Sequence, residues 1–455
     1  MTGVDFLLVV FIAIIFLIFL GAIKMIGNHN PKSFFDYQGD LKQAQPMEQT
    51  PPKPSKKQVQ DGVLLGTCNN RNVCLPDDCK HVFLCGTTGA GKTIALSNFI
   101  NNDYPLVIID GKGDTDKNSL PDIVKQMKGN RKLYVIDMSD PENSDKYNPF
   151  SNTSATIIKD MLINMTDWTE PHYKINTERY LQRVIQTMIK ANKTICLKTI
   201  IECLEIDNFL ILSASLFKAG ILSKEEHVSN GNLAKKSGGI AEDSFSRFAN
   251  LIESDIGCIF DESGIDVYTA IKENAIILFI LNPLLYPEVS PVLGRLITID
   301  CKKAVSLLFK DVKKRFFFLF DEVNVYASTV LLDLINKSRS AWATAVLACQ
   351  SLSDLDSAVS EAYRNQIIEN TNNYIIMRQN SSVNAEVWAA TIGTAETMKI
   401  TYAVGEESAG TKGSMRKTRE YIFHPDDIKN LGVGEAFVVS KDKDYKYKIK
   451  VNMPV

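Results

Sequence analysis

The sequence predicts an α/β protein with a central parallel sheet, an all-helical insertion and one N-terminal transmembrane helix. Continuous apolar runs, as expected of parallel strands buried on both faces, lie at 81–85, 106–110, 275–282, 315–320 and 344–349. Between residues 155 and 271 the apolar residues recur at helical spacing instead. The run FLLVVFIAIIFLIFLGAI at 6–23 carries no charged residue.

Length and composition are those of an ordinary globular protein with about two or three domains. The chain has 455 residues, of which 45% are hydrophobic and 23% are charged. Its net charge of −2 gives no overall basic footprint, so any contact with nucleic acid has to come from a locally basic surface or channel. The cysteines, 9 in all, show no paired framework, which suits a reducing cytosol.

The run at 6–23 is interpreted as a single transmembrane helix. At a rise of roughly 1.5 Å per residue, it spans close to the ~30 Å hydrocarbon core of a bilayer. A cleaved signal peptide is the alternative, but no basic segment precedes the run and no clear cleavage site follows it. Lysines follow the run and none precedes it, so the positive-inside rule places the chain after residue 24 in the cytoplasm. We therefore expect a membrane anchor at 1–26.

Residues 27–60 are polar and rich in proline, which predicts a tether without a core of its own. Three cysteines, Cys68, Cys74 and Cys79, come shortly afterwards. They lack the C-x-x-C pairs and the spaced histidine of a zinc site, so we expect them in strands and turns.

The segment GTTGAGKT at 86–93 has the spacing G-x-x-x-x-G-K-T of a phosphate-binding P-loop. An apolar strand precedes it and a helical pattern follows, so its backbone N–H groups can surround phosphate oxygens at a helix N-terminus. Lys92 is expected to contact the β- and γ-phosphates, and the Thr93 hydroxyl to bind Mg²⁺. The predicted nucleotide-binding residues of the loop are Gly86, Thr87, Thr88, Gly89, Ala90, Gly91, Lys92 and Thr93.

The second half of a nucleotide site is predicted where the apolar strand at 315–320 ends in two carboxylates. Ligands of open α/β sheets bind at this end of the strands. Asp321 is expected to hold Mg²⁺, largely through water, and Glu322 to act as the base that polarises the attacking water. Gln350, after the next apolar strand, is either a group that detects the γ-phosphate or a helix-cap or turn residue.

Several motifs appear in an order that resembles the coupling ATPases of conjugative type IV secretion systems, which belong with the ring-shaped DNA-pumping translocases. The resemblance covers most of residues 62–440. It is carried by GTTGAGKT (86–93), LVIIDGKGD (106–114), YNPF (147–150), FLFDE (318–322), SRSAWATAVLACQSLSDL (338–355), and the segments 372–394 and 421–439.

The resemblance implies a RecA-like P-loop NTPase sheet in two parts, 61–154 and 272–455, separated by the helical insertion 155–271. In the family such an insertion meets DNA or a protein–DNA substrate. The implied cofactors are ATP and Mg²⁺, and the implied partners are DNA, relaxosome proteins, components of the secretion channel and five further copies of the chain. The implied location is the inner or plasma membrane of a bacterium. Many family members have two transmembrane helices, whereas this chain shows one.

Arg339 and Arg378 are candidates for a finger that reaches the nucleotide of a neighbouring subunit in a ring, because a guanidinium there stabilises charge on the transferring phosphoryl group. An ion pair within one chain is the alternative for each. Asp110, in the turn DGKGD, lies either near the nucleotide, as in the family, or in a simple β-turn.

The C-terminal strand at 441–452 alternates apolar and lysine residues, which we interpret as an edge strand whose lysines discourage aggregation. Stacking of its aromatic side chains on single-stranded DNA is the alternative. The function predicted for the whole chain is a membrane-anchored, ATP-hydrolysing coupling protein that pumps DNA or a relaxase–DNA complex to a conjugative channel. The alternative is an ATPase motor for protein secretion or machine assembly without DNA.

Overall fold

The computed structural model describes residues 62–76, 78–100, 103–114, 116–165, 167–311, 315–338, 342–402 and 413–454. The apolar run at 6–23, the tether and Arg339 lie outside these residues. Of the helices in the described part of the chain, none is both long and apolar enough to cross a membrane.

Most strands of the described residues join one large sheet, in the order β2-β1-β13-β12-β9-β3-β8-β7-β4-β6-β5, and β10 pairs with β11 in a separate hairpin. The strands are β1 (Gly62–Cys68), β2 (Arg71–Pro76), β3 (Val82–Cys85), β4 (Leu106–Asp110), β5 (Leu133–Asp137), β6 (Ile276–Ile280), β7 (Phe316–Phe320), β8 (Ala343–Cys349), β9 (Asn373–Ile376), β10 (Thr394–Tyr402), β11 (Gly413–Tyr421), β12 (Glu435–Ser440) and β13 (Tyr445–Val451).

The centre of the sheet is parallel, from β9 through β3, β8, β7, β4 and β6 to β5. Every residue of β3, β4, β6, β7 and β8 is buried, as their apolar runs predict for strands covered on both faces. The strands β12, β13, β1 and β2 extend the sheet beyond β9 with antiparallel pairing. The α/β class and the parallel sheet predicted from the sequence are therefore confirmed.

The interpretation of the C-terminal strand as a sheet edge is wrong. β13 pairs with β12 along its length, and on its other side Val451 and Lys450 pair with Gly66 and Thr67 of β1. The alternation itself is present, because Tyr447, Ile449 and Val451 are buried while the lysines between them are exposed. Among the described residues the edges of the sheet are β2 and β5, so the lysines of β13 do not protect an edge strand.

Helices cover the sheet and fill the connection between β5 and β6. They are α1 (Lys92–Ser97), α2 (Leu120–Met127), α3 (Ala155–Asn164), α4 (Pro171–Lys190), α5 (Leu197–Leu204), α6 (Ile206–Lys218), α7 (Lys224–Glu253), α8 (Val267–Lys272), α9 (Val289–Asp311), α10 (Thr329–Ser338), α11 (Leu352–Ala358), α12 (Glu361–Asn370), α13 (Ser382–Ile392) and α14 (Pro425–Lys429).

The described residues between β5 and β6 contain α3 to α8 and no strand beyond isolated bridges of Tyr147 with Phe260 and Ile265. Local sequence fixes the start of the long helix α7, where Ser223 and Glu226 form a capping box. The domain boundaries predicted at residues 155 and 271 stay a prediction.

A buried ionic cluster ties the start of this helical region to α9, a helix that follows β6. Lys303 of α9 donates to the carbonyl oxygens of Pro149 (2.6 Å) and Ser151 (3.2 Å). Its Nζ also lies 2.8 Å from Oδ2 of Asp266, at the N-cap of α8, and 2.9 Å from Oδ1 of Asp300. Because the lysine side chain is only 2% exposed, its charge depends on these partners.

The described residues at 393–402 and 413–422 belong to a second compact unit. Within it β10 and β11 pair antiparallel from Thr394 opposite Tyr421 to Tyr402 opposite Gly413. Glu396 and Arg419, which lie directly opposite each other in this register, form an ion pair across the hairpin at 3.9 Å.

Candidate functional site

The predicted site residues of the described chain meet at the carboxyl ends of the central parallel strands. The loop at 86–93 follows β3, Asp321 and Glu322 follow β7, and Gln350 follows β8. Arg378 follows β9, the neighbour of β3 on the other side. Parallel strands bring their carboxyl ends to one edge, which explains why residues far apart in sequence converge here.

Two glycines give the P-loop its shape. Gly89 and Gly91 have φ angles of 73° and 103°, in the region that other residues rarely adopt. A third glycine is required by space, since a Cβ at Gly86 would lie 2.6 Å from Cβ of Met377. Gly91 is the N-cap of α1, and its carbonyl accepts a hydrogen bond from Ala95 at 3.0 Å. The strand, loop and helix order predicted for a P-loop is therefore present.

Neighbouring strands hold the loop in place through its backbone. The N–H of Thr87 donates to the carbonyl of Arg378 at 2.9 Å, and the N–H of Gly86 donates to the carbonyl of Cys349 at 3.3 Å. The loop thus cannot move without disturbing the ends of β8 and β9.

Two further contacts of the loop come from residues that the sequence reasoning missed. Asn380 donates its side-chain amide to the Thr87 hydroxyl at 3.2 Å. Gly434, before β12, donates its N–H to the carbonyl of Ala90 at 3.0 Å. A signal for Asn380 exists in the polar residues that follow the apolar strand β9. No local signal identifies Gly434, because its contact depends on the antiparallel end of the sheet.

A chain of polar contacts joins the P-loop to Gln350 at the end of β8 and to Glu322 at the end of β7. The Thr88 hydroxyl donates to Oε1 of Gln350 at 2.9 Å, and Nε2 of Gln350 donates to Oε1 of Glu322 at 3.0 Å. The same Glu322 oxygen lies 3.9 Å from Nζ of Lys92. The N-cap of α11 is Ser351 and not Gln350. The side chain of Gln350 instead contacts Thr88 and Glu322, so it belongs to the candidate site.

Glu322 occupies an unusual backbone position. Its φ and ψ angles are 46° and 52°, a left-handed conformation that costs about 1–3 kcal/mol for a residue other than glycine. The following turn holds it there, because the N–H of Val325 donates to its carbonyl at 2.9 Å and the Tyr326 hydroxyl donates to the carbonyl of Asp321 at 3.1 Å. The strain is located at the residue expected to act on water.

Two buried carboxylates stand side by side next to Glu322. Burial raises the pKa of Asp321 to about 7, and the charges of Glu322 and Asp110 add to this shift while Lys92 opposes it. Burial likewise raises the pKa of Asp110 to about 6, and the nearby backbone N–H groups of Lys112 and Gly113 oppose this shift. Carboxylates with so few cations around them form a donor set that fits a hard divalent ion such as Mg²⁺.

The described geometry leaves the roles of the remaining predicted residues as predictions. Thr93 lies in the first turn of α1, directly after Lys92, and its role toward Mg²⁺ stays a prediction. Arg378 lies beside the P-loop of its own chain, and its Nε is buried without a hydrogen-bond partner among the described residues. Its role in a neighbouring subunit also stays a prediction, as does that of Arg339.

A parallel sheet with this loop after one central strand and an acidic pair after another defines a P-loop NTPase. Two family models match the chain: the type IV secretion-system coupling protein DNA-binding domain at residues 274–452, and type IV secretory system conjugative DNA transfer at residues 38–209. The chain belongs to the coupling proteins of type IV secretion systems. Comparison with curated protein sequences gives no match.

Solved structures agree with this fold. The unbound bacterial conjugative coupling protein TrwB, lacking its N-terminal segment, has 16% identity and a TM-score of 0.63, with 92% of each chain covered. The plasmid coupling protein TrwB with ADP and Mg²⁺ has 16% identity and a TM-score of 0.59 over the same coverage. VirB4 of Thermoanaerobacter pseudethanolicus is more distant, with 13% identity and a TM-score of 0.51, covering 86% of this chain and 97% of its own.

Proposed function

We propose that this chain is a membrane-anchored ATPase that couples ATP hydrolysis to the movement of DNA, or of a relaxase–DNA complex, toward a conjugative type IV secretion channel. The observation that carries the proposal is the contact chain from Thr88 through Gln350 to Glu322 in a protein of this family. It links the phosphate-binding loop to the base of the reaction. A nucleotide-binding scaffold would not need that base.

In this proposal each site residue has a defined task. Lys92 binds the β- and γ-phosphates as a point charge, and Thr93 and Asp321 hold Mg²⁺. When bound, Mg²⁺ neutralises charge on the β- and γ-phosphate oxygens. Glu322 accepts a proton from the attacking water.

Gln350 would report the state of the nucleotide. In this structure the amide nitrogen of Gln350 donates to Oε1 of Glu322, and Nζ of Lys92 lies 3.9 Å from that oxygen. A γ-phosphate in the loop competes for both donors, which frees the Glu322 carboxylate to orient water. After hydrolysis and phosphate release, the contact between Gln350 and Glu322 forms again.

The anchor and the ring are further parts of the proposal. The uncharged run at 6–23 supports insertion into the inner membrane of a bacterium, with the bulk of the chain in the cytoplasm. One of the arginines Arg339 and Arg378 would complete the site of a neighbouring copy in a homohexamer, so hydrolysis would depend on assembly. DNA would be bound chiefly through its phosphates, since the sequence contains no base-reading motif.

The test is ATP hydrolysis by the full chain in detergent, measured without nucleic acid and with single-stranded or double-stranded DNA. Stimulation by either form of DNA, weakened as salt is raised, is expected. Turnover that ignores both forms of DNA and responds to a secreted protein would favour the motor without DNA and contradict the proposal.

A further inference from the structure

Asp110 and Asp321 are neighbours at the ends of two adjacent parallel strands. Ile109 of β4 pairs with Phe320 of β7, and the N–H of Asp321 donates to the carbonyl of Ile109 at 2.9 Å. Asp110 and Asp321 are the next residues in this register, so their side chains leave the sheet on the same face. The end of β4 therefore adds a second carboxylate beside the predicted Mg²⁺ ligand.

The two oxygens of Asp110 have unequal surroundings. Oδ1 accepts the N–H of Lys112 at 3.0 Å. Asp110 is only 1% exposed. Its Oδ2 atom is buried and has no hydrogen-bond partner among the described residues. A buried carboxylate oxygen without a donor is costly, and native proteins retain such an atom chiefly where something else binds it.

The nearby lysines of the described chain point to other acceptors. The ammonium of Lys112 is hydrogen-bonded to the carboxylate of Asp114. The ammonium of Lys92 lies 3.9 Å from Glu322. Among the described residues, no lysine hydrogen-bonds to the Oδ2 atom of Asp110, whose charge acts on the pKa of the neighbouring Asp321.

The backbone around Asp110 is held tightly enough to fix this geometry. A Cβ at Gly111 would lie 2.8 Å from the carbonyl oxygen of Asp321. Gly113 has a φ angle of 67°, and a Cβ there would lie 2.3 Å from the carbonyl oxygen of Leu281. The carbonyl of Asp110 accepts the N–H of Leu281 at 2.9 Å. The backbone of the turn DGKGD is therefore packed between β6 and β7, which fixes the place from which the Asp110 side chain starts.

We propose that Asp110 is a positioning residue for the Mg²⁺ of the bound nucleotide, with Oδ2 accepting a hydrogen bond from a water molecule in the hydration shell of the ion. The inference rests on the proposed function, because it assumes that the site binds a magnesium nucleotide. Mg²⁺ keeps several of its waters in proteins, and carboxylates behind the direct ligands orient them. Asp110 acts through water, beside Asp321, and touches no reacting atom.

The test replaces Asp110 by asparagine, which keeps an oxygen for the N–H of Lys112 and replaces Oδ2 by a group that cannot accept. The full chain in detergent is titrated with a fluorescent ADP analogue, once in EDTA and once at increasing Mg²⁺. Mg²⁺ changes the affinity for ADP, and the Mg²⁺ concentration that gives half of this change is the quantity measured. It should rise by about 10-fold or more in Asp110→Asn. The affinity measured in EDTA should stay at the parental value.

The matched control is Asp114→Asn, in the same turn, whose carboxylate binds Lys112 and the N–H of Asp116. Both affinities of this control should stay at the parental values. Binding of Mn²⁺ at saturating ADP, followed by electron paramagnetic resonance, gives a readout that does not depend on turnover. The Mn²⁺ affinity should fall in Asp110→Asn and stay unchanged in the control.

The outcomes separate the inference from the function on which it rests. An equal loss of ADP affinity with and without metal would show a structural turn residue and overturn the inference. Parental Mg²⁺ dependence in Asp110→Asn would also overturn it, while leaving the magnesium-nucleotide site intact. A parental chain that binds ADP without any effect of Mg²⁺ would contradict the proposed site itself, and the inference with it. If Asp110→Asn does not fold, Asp110→Ser takes its place and is judged by the same two affinities.

Discussion

The side-chain amide of Gln350 donates a 3.0 Å hydrogen bond to Oε1 of Glu322, across the ends of the adjacent strands β8 and β7. The other end of the same amide accepts the hydroxyl of Thr88 from the P-loop. A group placed between a phosphate-binding loop and a candidate base is positioned to couple nucleotide state to water activation.

Replacing Glu322 by glutamine should separate binding from turnover. The amide keeps the size of the side chain but cannot take a proton, so we expect kcat to fall by about 10²–10⁴-fold while ATP affinity changes little. Steady-state hydrolysis and binding of a fluorescent ATP analogue measure the two effects. Lys92→Ala is the contrasting variant, in which binding itself should be lost. Parental turnover in Glu322→Gln would mean that another residue is the base.

The pH dependence of stability follows from Asp321. Burial raises its pKa to about 7 in the folded protein, whereas an unfolded aspartate has a pKa of about 3.9. Between these values the folded state binds more protons than the unfolded state, so the free energy of unfolding falls as pH rises through this window. In Asp321→Asn that fall should be shallower, because the titrating group is gone.

Thermal melting of the nucleotide-free protein from about pH 4 to pH 8 checks this expectation. Asp243→Asn, on an exposed part of α7, should follow the parental curve. A melting curve of Asp321→Asn with the parental slope would show that this carboxyl does not carry the effect.

The buried ionic cluster around Lys303 should contribute more to the free energy of unfolding than the exposed ion pair of the neighbouring Lys302. Lys303→Met leaves Asp266 and Asp300 without their cation in the interior, which should lower the free energy of unfolding by about 3–5 kcal/mol. Lys302→Met removes a pair with Asp333 from a side chain that is 40% exposed, and should cost about 1 kcal/mol or less. Urea denaturation of both variants gives the comparison, and equal losses would contradict the assigned role of the cluster.

Mixed rings distinguish a finger in trans from an ion pair within the chain. Glu322→Gln subunits retain every arginine but lack the base, and Arg378→Ala subunits have the reverse defect. If Arg378 acts on the neighbouring site, an equal mixture assembled on DNA at low salt should recover ATPase activity that neither variant has alone. The same mixture with Arg339→Ala tests the other candidate. If mixed rings form but ATPase activity recovers with neither Arg378→Ala nor Arg339→Ala, neither arginine acts on the site of a neighbouring subunit.

The centre of the fold was predictable because burial on both faces leaves a local signature. The apolar runs that become β4, β6 and β7 are continuous in the sequence, and the P-loop glycines mark the turn after β3. The position of β13 inside the sheet was not predictable. Its alternation of apolar and lysine residues would be the same in an edge strand as in a strand between β1 and β12. Strand order depends on pairing between distant segments, which no short pattern encodes.

The site was predictable only in part for a similar reason. Residue type and position after a strand pointed to Asp321, Glu322 and Gln350. Which atom each side chain contacts depends on rotamers and on neighbouring strands. The choice between a helix cap and a site residue for Gln350 therefore required the contact with Thr88, and the unpartnered oxygen of Asp110 has no counterpart in the sequence.

Movement along DNA tests the central claim most directly. The full chain in detergent is added to biotinylated DNA, single-stranded or double-stranded, whose end is blocked by streptavidin, and release of streptavidin is followed over time. With ATP and Mg²⁺ the parental protein should release streptavidin from at least one form of DNA. Release should be absent with a non-hydrolysable ATP analogue and in Glu322→Gln. Hydrolysis of ATP without release from either form, or release that continues in Glu322→Gln, would contradict an ATP-driven DNA motor.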